Sequence, residues 1–286
     1  MSEPGGLTVA GALRQAKAAG LSRLEAQQLA GHLLGRSRTW LIAHEDEAWP
    51  RALAPAWAEQ VARRAAGEPL AYLIGEKEFH GLRLEVSPAV LVPRADTETL
   101  VDWALDRLAS LPPDAQVLDL GTGSGAIALA LQHARPQAAV WAVDASPAAL
   151  EVARRNAQRL ELAVQFLLGD WWEAVPARRF HLIVSNPPYI AEGDRHLPAL
   201  RHEPRQALTS GPDGLDDLRH LIAHAPAHLR PGGWLLLEHG YDQAVTVAAN
   251  LKARGFEAVQ TRLDSGGIAR CTGGLWRGDN RSGADS

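Results

Sequence analysis

The residues best suited to chemistry form one short stretch, Asn186-Pro187-Pro188-Tyr189, directly after an apolar run at 182–184 that predicts a buried strand. Proline has no N–H to donate, so the strand ends here and the stretch forms a rigid corner. Open α/β sheets place their ligand crevices at such carboxyl ends of strands. The corner offers an amide oxygen, backbone carbonyls at a fixed φ and a flat aromatic face. These groups together suit a planar ligand that carries an NH2 group.

A glycine loop lies upstream, between a predicted strand at 117–120 and a predicted helix at 126–133. Glycine lets the backbone approach a ligand that would otherwise meet side chains. The spacing is Gly-x-Gly-x-Gly rather than the Gly-x-Gly-x-x-Gly of dinucleotide folds, so the loop alone is a weak signal. Its residues are Gly121, Thr122, Gly123, Ser124 and Gly125.

Polar residues also follow the next two predicted strands. Asp144 ends the strand at 139–143, where a carboxylate can accept hydrogen bonds from both hydroxyls of a ribose. Asp170 and Trp171 follow the strand at 164–168 and offer an adenine ring a polar edge and an aromatic wall. Because the carboxyl ends of parallel strands share one edge of a sheet, we expect all of these residues to face one crevice.

The elements that must position these residues are strands and helices that alternate from residue 115 onward, a pattern typical of a parallel sheet. A helical region at 7–75 precedes them, with a capping box at Ser22 and Glu25 and a C-terminal glycine stop at Gly35. The predicted fold class is α/β, a small all-α bundle followed by a seven-stranded domain. Its predicted strands lie at 117–120, 139–143, 164–168, 182–184, 234–238, 258–263 and 268–276.

A linking β-hairpin is predicted between the bundle and the sheet. Its strands are expected at 79–86 and 90–92, with a turn at Ser87-Pro88. The predicted domains are therefore the helical region at 1–75, the hairpin at 76–93, the sheet domain at 94–277 and a flexible tail at 278–286.

The composition excludes several classes of protein. A net charge of −4 and 46% hydrophobic residues are ordinary for a globular protein and unlike the overall basic charge of a nucleic-acid binder. The single cysteine, Cys271, excludes an internal disulfide and a multi-cysteine zinc site. His181, His202 and His239 lack the spacing of a metal site. With neither a signal-peptide layout nor a bilayer-long apolar run, we expect a cytoplasmic protein without a metal or a membrane span.

Three features resemble the motifs of class I methyltransferases that use S-adenosylmethionine. They are the strand end and glycine loop at 119–125, Asp144 and the corner at 186–189. The corner is similar to that of the branch that methylates planar NH2 groups, in adenine, cytosine or glutamine. Two further segments, 67–75 and 90–98, resemble the joining segments of the PrmC/HemK family. That family comprises glutamine-N5 methyltransferases that act on the Gly-Gly-Gln loop of class 1 peptide chain release factors.

The resemblance covers nearly the whole chain and includes the segments 203–208 and 211–215. One departure is Ala95, where the family usually has proline, but Arg94 and Asp96 on either side match. The resemblance implies a Rossmann-like class I methyltransferase domain with a helical substrate-recognition domain before it.

A set of site residues follows from the resemblance. It implies S-adenosylmethionine as the methyl donor, S-adenosylhomocysteine as the product and no metal. Asp119 is implied either to touch the methionine part of the cofactor or to stabilise the loop. The cofactor-binding residues are Asp119, Gly121, Thr122, Gly123, Ser124, Gly125, Asp144, Asp170, Trp171 and Asn186. The catalytic residues are Asn186, Pro187 and Tyr189, and the substrate-binding residues are Asn186, Pro187, Pro188 and Tyr189.

A mechanism follows for a glutamine substrate. A primary amide nitrogen is a poor nucleophile because its lone pair is delocalised into the carbonyl. We expect the side-chain oxygen of Asn186 and the backbone carbonyl of Pro187 each to accept one N–H of the substrate, which holds the nitrogen and makes it more electron-rich. Tyr189 is expected to pack on the amide plane. No dedicated base is required, because the proton becomes acidic once the nitrogen is alkylated.

Three alternatives remain open at this point. An adenine-N6 methyltransferase shares the corner but favours a basic target-recognition domain, which the mixed charge of the helical region does not supply. A glutamine methyltransferase of a ribosomal protein differs only in its substrate. A non-catalytic nucleoside-binding module has no need of two acceptors at the corner. We expect a release factor as the partner, no direct nucleic-acid partner, no membrane and a monomer.

Overall fold

The computed structural model describes residues 7–278. The border between two compact units falls between Glu76 and Lys77. The predicted flexible tail lies, apart from Gly278, outside the described residues. Within the described part of the chain, no helix is both long and apolar enough to cross a bilayer.

The first unit is helical, as predicted. Ser22 and Glu25 form the predicted capping box, since the Ser22 Oγ accepts from the Glu25 N–H at 3.3 Å and the Glu25 Oε2 accepts from the Ser22 N–H at 2.8 Å. Gly35 ends that helix in the left-handed region. Leu29, Leu41 and Trp57 are fully buried in its core. The helices are α1 (Val9–Ala18), α2 (Arg23–Leu34), α3 (Arg38–Ala43), α4 (Ala54–Ala65) and α5 (Leu70–Ile74).

A β-hairpin begins at the border of the two units. Its strands are β1 (Glu76–Phe79) and β2 (Leu82–Glu85), joined by a two-residue turn at His80 and Gly81. Both turn residues have positive φ, 49° and 79°, which is the backbone of a tight hairpin turn. The predicted single strand over 79–86 is therefore wrong, because the chain reverses within it.

The second predicted strand of the hairpin, at 90–92, is also wrong. Its residues lie in a loop, although Val90 and Val92 are buried. The Val92 N–H donates to Oε2 of Glu203 at 3.1 Å, so it has no part in a ladder. The continuous apolar run that suggested a strand is therefore part of a loop held by a side-chain acceptor.

The second unit contains a seven-stranded sheet with helices on both faces, which confirms the predicted fold class. The strand order is β5-β4-β3-β6-β7-β9-β8, and the pairs among the first five are parallel. The strands are β3 (Gln116–Leu120), β4 (Ala139–Asp144), β5 (Gln165–Leu168), β6 (Phe180–Ser185), β7 (Leu229–Glu238), β8 (Glu257–Leu263) and β9 (Ala269–Trp276).

The last strand departs from a wholly parallel sheet, because β9 is antiparallel to both β7 and β8. The connection from β8 to β9 is a short turn in which Oδ1 of Asp264 accepts the N–H groups of Gly266 and Ile268, each at 2.9 Å. Two strands joined so closely pair as a hairpin, since a parallel pair needs a long crossover.

Alternating residues of β3 enter separate cores on the two faces of the sheet. Val117 belongs to the core that contains Leu100 and Leu129, whereas Leu118 belongs to the core that contains Leu218. The strand order reverses between β3 and β6, which is where open α/β sheets form a ligand crevice. The helices of this unit are α6 (Glu98–Leu108), α7 (Ala126–Ala134), α8 (Pro147–Leu160), α9 (Asp216–His228) and α10 (Ala244–Arg254).

Candidate active site

A cavity of about 300 Å³ opens in the second unit at the carboxyl ends of β3, β4 and β6. Four predicted residues, Asp119, Gly125, Pro187 and Tyr189, are not part of its lining. The predicted residues that line it are Gly121, Thr122, Gly123, Ser124, Asp144, Asp170, Trp171, Asn186 and Pro188. The structure thus brings most of the predicted cofactor-binding residues to one cavity.

The glycine loop has a backbone that only glycine adopts without strain at three positions. Gly121, Gly123 and Gly125 have φ values of 72°, 56° and 84°. A Cβ on Gly121 would lie 3.2 Å from the ring of Trp171. The loop therefore forms a cradle of bare backbone with the Trp171 ring close beside Gly121.

Asp144 ties this loop to the start of α8. Its Oδ2 accepts from the Gly123 N–H and its Oδ1 from the Ser146 N–H, both at 2.8 Å. Burial raises the pKa of Asp144, and these two N–H groups lower it. Each carboxylate oxygen has a second lone pair, so both oxygens retain the capacity to accept a further donor from the cavity.

Asp119 lies beneath the loop and is fully buried. Its Oδ2 accepts from the Thr122 hydroxyl at 2.6 Å and from the Ala128 N–H at 3.2 Å, whereas its Oδ1 has no hydrogen-bond partner among the described residues. Burial raises the pKa of Asp119 to about 7. These contacts are of the kind expected if Asp119 stabilises the glycine loop, which is one of the two roles implied for it.

The aromatic wall comes from Trp171, which follows β5. Trp171 is half-buried and has a φ of 44°, in the left-handed region that bulky residues rarely adopt. Asp170 before it is exposed, and both residues line the cavity. Trp172 after it is buried and stacks on His228 with ring centroids 4.6 Å apart. The buried Trp172 anchors the turn that holds Trp171 at the cavity.

The corner after β6 is held from several sides. The Ser185 hydroxyl donates to the Leu120 carbonyl at 2.7 Å, which joins the ends of β6 and β3. The Asn186 Nδ2 donates to the Thr97 hydroxyl at 3.2 Å. Since an amide carries its two donors on nitrogen, this bond leaves the Asn186 oxygen as the acceptor that remains for the cavity.

Tyr189 has its polar group away from the cavity lining. Its hydroxyl donates to Oε1 of Glu238 at 3.3 Å, and its backbone carbonyl accepts from Gln243 Nε2 at 3.0 Å. Burial and the Glu238 charge raise the pKa of Tyr189 above its ordinary value, so the phenol is neutral. The packing of Tyr189 on a substrate amide stays a prediction.

The sequence interpretation missed Thr97 and Glu238, whose exposed fractions are 4% and 1%. Glu238 ends β7, the neighbour of β6, and a charged residue at the end of an apolar strand is a usable signal. Thr97 lies in the segment 90–98, which resembles a joining segment of the PrmC/HemK family but gives no separate signal for this residue.

The lining residue Arg94 forms an ion pair that was also missed. Arg94 donates to Oε1 of Glu203 at 2.5 Å, and the Glu203 side chain is only 3% exposed. Arg94 lines the cavity together with Pro204 and Gln206. The pair therefore joins two segments that line the cavity, one around Arg94 and one around Pro204.

Two family models match the chain. A model described as the PrmC N-terminal domain matches residues 9–75, and one described as the methyltransferase small domain matches residues 99–214. The first match falls on the helical unit, and the second contains the glycine loop, Asp144 and the corner.

Curated relatives match over almost their whole length. The chain is 52% identical to the release factor glutamine methyltransferase of Bordetella pertussis, over 89% of this chain and 95% of the relative. It is 48% identical to the protein of the same name from Burkholderia pseudomallei, over 96% and 98%. It is also similar to the 16S rRNA N2 G1207 methyltransferase of T. thermophilus, solved with AdoMet and guanosine. That match has 26% identity and a TM-score of 0.51, over 71% of this chain and 50% of the other.

Proposed function

Because the chain belongs to the family of release factor glutamine methyltransferases, we propose that class 1 peptide chain release factors are its substrate. The methyl group goes from S-adenosylmethionine to the side-chain nitrogen N5 of the glutamine in their Gly-Gly-Gln loop, and S-adenosylhomocysteine is the other product. The observation that carries this proposal is the Asn186 amide, whose nitrogen is bonded to Thr97 and whose oxygen is left as an acceptor beside the cavity.

The cavity fits an adenosine-bearing cofactor in three respects. The glycine loop lets backbone approach a ligand, Asp144 has two carboxylate oxygens with acceptor capacity, and Trp171 supplies a flat apolar wall. When bound, S-adenosylmethionine supplies an electrophilic methyl group on its sulfonium. Asp144 would hold the ribose hydroxyls, Trp171 with Asp170 the adenine, and the loop residues the remainder of the cofactor.

The corner prepares the acceptor nitrogen. Asn186 Oδ1 and the Pro187 carbonyl each accept one N–H of the glutamine side chain, which withdraws the lone pair from the amide carbonyl and directs it at the methyl group. Two prolines keep these acceptors rigid. Positioning of this kind contributes on the order of 7–11 kcal/mol to lowering a barrier.

The helical unit is proposed to recognise the protein substrate beyond its glutamine. In this division, residues 1–75 bind the release factor, 76–93 link the units and 94–277 carry the methyl transfer. Deletion of residues 1–75 should abolish binding of the release factor and leave cofactor binding to the remaining chain intact.

The proposal is tested by methyl transfer from labelled S-adenosylmethionine to a purified release factor. The comparison set contains the same factor with its loop glutamine changed to alanine, a ribosomal-protein acceptor and an adenine-containing DNA duplex. Label that disappears with the glutamine change supports the proposal. Label on the duplex alone, or on the ribosomal protein alone, would show that this acceptor is the substrate instead of the release factor. If no acceptor is labelled, the proposed activity is wrong.

A further inference from the structure

We propose that Gln243 is a positioning residue for methyl transfer, which fixes the point where the chain leaves the corner. Gln243 lies at the start of α10, is not part of the cavity lining, and bonds the backbone of Tyr189, the last residue of the corner. It therefore acts through the corner rather than on the substrate itself. The inference rests on the proposed function, because it concerns the two acceptors that this function assigns to Asn186 and Pro187.

The corner is anchored on both sides along the chain. Before it, the Ser185 hydroxyl donates to the Leu120 carbonyl at 2.7 Å, which ties the start of the corner to the sheet. After it, the Ile190 N–H donates to the Leu208 carbonyl at 2.9 Å, and the Ile190 carbonyl accepts from the Ser210 N–H at 3.1 Å. The last residue of the corner lies between these two anchors, and its own backbone carbonyl is bonded by a side chain.

That side chain is Gln243, and both ends of its amide have partners. Its Oε1 accepts from the Gly240 N–H at 2.8 Å. Its Nε2 donates to the Tyr189 carbonyl at 3.0 Å and to the Gly214 carbonyl at 3.3 Å, with the Asp213 carbonyl at 3.5 Å. A backbone N–H can only donate and a carbonyl can only accept, so these partners fix the direction of the amide. Gln243 is 9% exposed, so water has little access to replace them.

The amide joins the end of the corner to the segment 211–215. The carbonyls of Tyr189 and Gly214 both point at the Gln243 NH2 group, which supplies one hydrogen to each. Without that group the two carbonyls would lose a donor in a site that water hardly reaches, which is unfavourable. The packing is also close, because a Cβ on Gly214 would overlap the Tyr189 carbonyl oxygen.

The position of Tyr189 matters because the corner is stiff. The two prolines hold φ at about −65°, so few torsions between Asn186 and Tyr189 can absorb a movement. A shift of Tyr189 is therefore passed back to the Pro187 carbonyl and the Asn186 side chain, the two proposed acceptors of the substrate amide. A misplacement of about 1 Å in such a group can cost about 100-fold in rate.

The test uses the full-length protein, a release factor and S-adenosylmethionine. Calorimetry counts the sites that bind the cofactor, and kcat is expressed per such site, so that an unfolded fraction does not lower it. Gln243→Glu keeps the shape and the acceptor for the Gly240 N–H but loses both donors. Gln243→Met has a similar length and loses the donors without adding a charge. Both should lower kcat per site about 10- to 100-fold, while the Kd for S-adenosylmethionine stays within about twofold.

Gln132→Glu is the matched control. Gln132 is also a buried glutamine, 3% exposed, and its Nε2 donates to the backbone carbonyl of Pro136 at 3.0 Å. Both residues lie between α7 and β4, at the edge of the sheet where β4 begins, and neither lines the cavity. The control removes the same kind of hydrogen bond and should leave kcat per site unchanged.

A second pair of variants moves the end of the corner and leaves Gln243 in place. Gly214→Ala puts a Cβ against the Tyr189 carbonyl, whereas Gly232→Ala puts one at a similar φ, 83° against 74°, with no atom within 4 Å. Both lose stability through the strain of a left-handed alanine. Only Gly214→Ala should lower kcat per site.

The outcomes separate this inference from the proposed function. An unchanged kcat per site in either Gln243 variant, or an equal fall in Gln132→Glu, would overturn the inference while the proposed function stands. Cofactor affinity that falls as far as kcat would also overturn it, because Gln243 would then support the whole cavity and not the corner. Equal kcat in Gly214→Ala and Gly232→Ala has the same consequence. A wild-type protein that labels none of the acceptors contradicts the proposed function instead.

Discussion

At the scale of single residues, Asn186 and Asp144 have separable duties that follow from their positions. Asn186 contacts Thr97 and follows β6, whereas Asp144 bonds the glycine loop and the start of α8. We propose that the first acts on the methyl acceptor and the second on the cofactor. Substitutions at the two sites should therefore affect different kinetic constants.

Replacement of Asn186 should reduce the rate far more than cofactor affinity. Asn186→Ala removes one of the two acceptors proposed to act on the substrate amide, and the loss of one such preorganised group costs about 10²- to 10³-fold in kcat. Single-turnover methylation gives the rate and calorimetry the Kd for S-adenosylmethionine. Losses of equal size in both would show that Asn186 supports the cofactor rather than the acceptor.

Replacement of Asp144 should show the opposite pattern. Asp144→Asn keeps the shape but turns one acceptor into a donor that faces an N–H group of the loop or of α8. Charge-assisted hydrogen bonds contribute about 1.5–3 kcal/mol, so the Kd for S-adenosylmethionine should rise about 10- to 100-fold. At saturating cofactor, kcat should recover. If the variant binds S-adenosylmethionine with normal affinity, Asp144 does not hold the ribose.

At the scale of elements, the glycine loop is shaped by backbone conformation and by one close approach. Gly121 and Gly123 both have positive φ, yet only Gly121 lies against the Trp171 ring. A Cβ on Gly123 meets no atom within 4 Å. The pair therefore separates the cost of a strained backbone from the displacement of an aromatic wall.

Both Gly121→Ala and Gly123→Ala should lower the free energy of unfolding by about 1–2 kcal/mol, the cost of a left-handed non-glycine residue. Gly121→Ala should weaken cofactor binding more than Gly123→Ala, because its Cβ also meets the Trp171 ring. Urea denaturation and calorimetry on the two variants provide the comparison. Equal affinities would indicate that the position of the Trp171 ring does not govern binding.

At the scale of the whole molecule, a buried acid under the loop should make stability depend on pH. The pKa of Asp119 is about 7 in the folded state, above its ordinary value, so the folded state holds a proton that the unfolded chain releases. The contribution of Asp119 to the free energy of unfolding is fully present below its pKa in the unfolded chain. It is lost as the pH rises from that value to the pKa in the folded state. A buried charge without a cation beside it is the physical cause.

Asp119→Asn should accordingly gain stability relative to wild type as the pH rises, by as much as about 4 kcal/mol between pH 4 and pH 7. Urea denaturation without cofactor at several pH values measures this difference. Asp264→Asn is the control: hydrogen bonds lower the pKa of Asp264, so its contribution should be constant from pH 5 to pH 8. A difference for Asp119→Asn that does not vary with pH would show that Asp119 is ionised throughout.

The molecule as a whole shows which features local chemistry predicts. The sequence predicted the corner at 186–189 because proline cannot continue a strand, and the loop at 121–125 because closely spaced glycines permit positive φ. It also predicted the capping box at Ser22 and the alternation that builds the sheet. Each of these signals lies within a few residues of the feature it produces.

The sequence failed where a local pattern had two interpretations. The apolar run at 90–92 predicted a strand, but the N–H of Val92 bonds the side chain of the distant Glu203. The antiparallel direction of β9 depends on the short turn that precedes it, which the period of the strand does not record. The period of a sequence indicates which side chains are buried. It does not indicate which other segment the backbone of that stretch pairs with.

The sequence by itself determined the class of fold, the place of the glycine loop and the residues offered at the corner, because these depend on backbone preferences of single residues. Only the tertiary structure decided what the Asn186 amide contacts, since its partner Thr97 is 89 residues away in the chain. A buried hydrogen bond between distant residues has no period and no spacing in the chain.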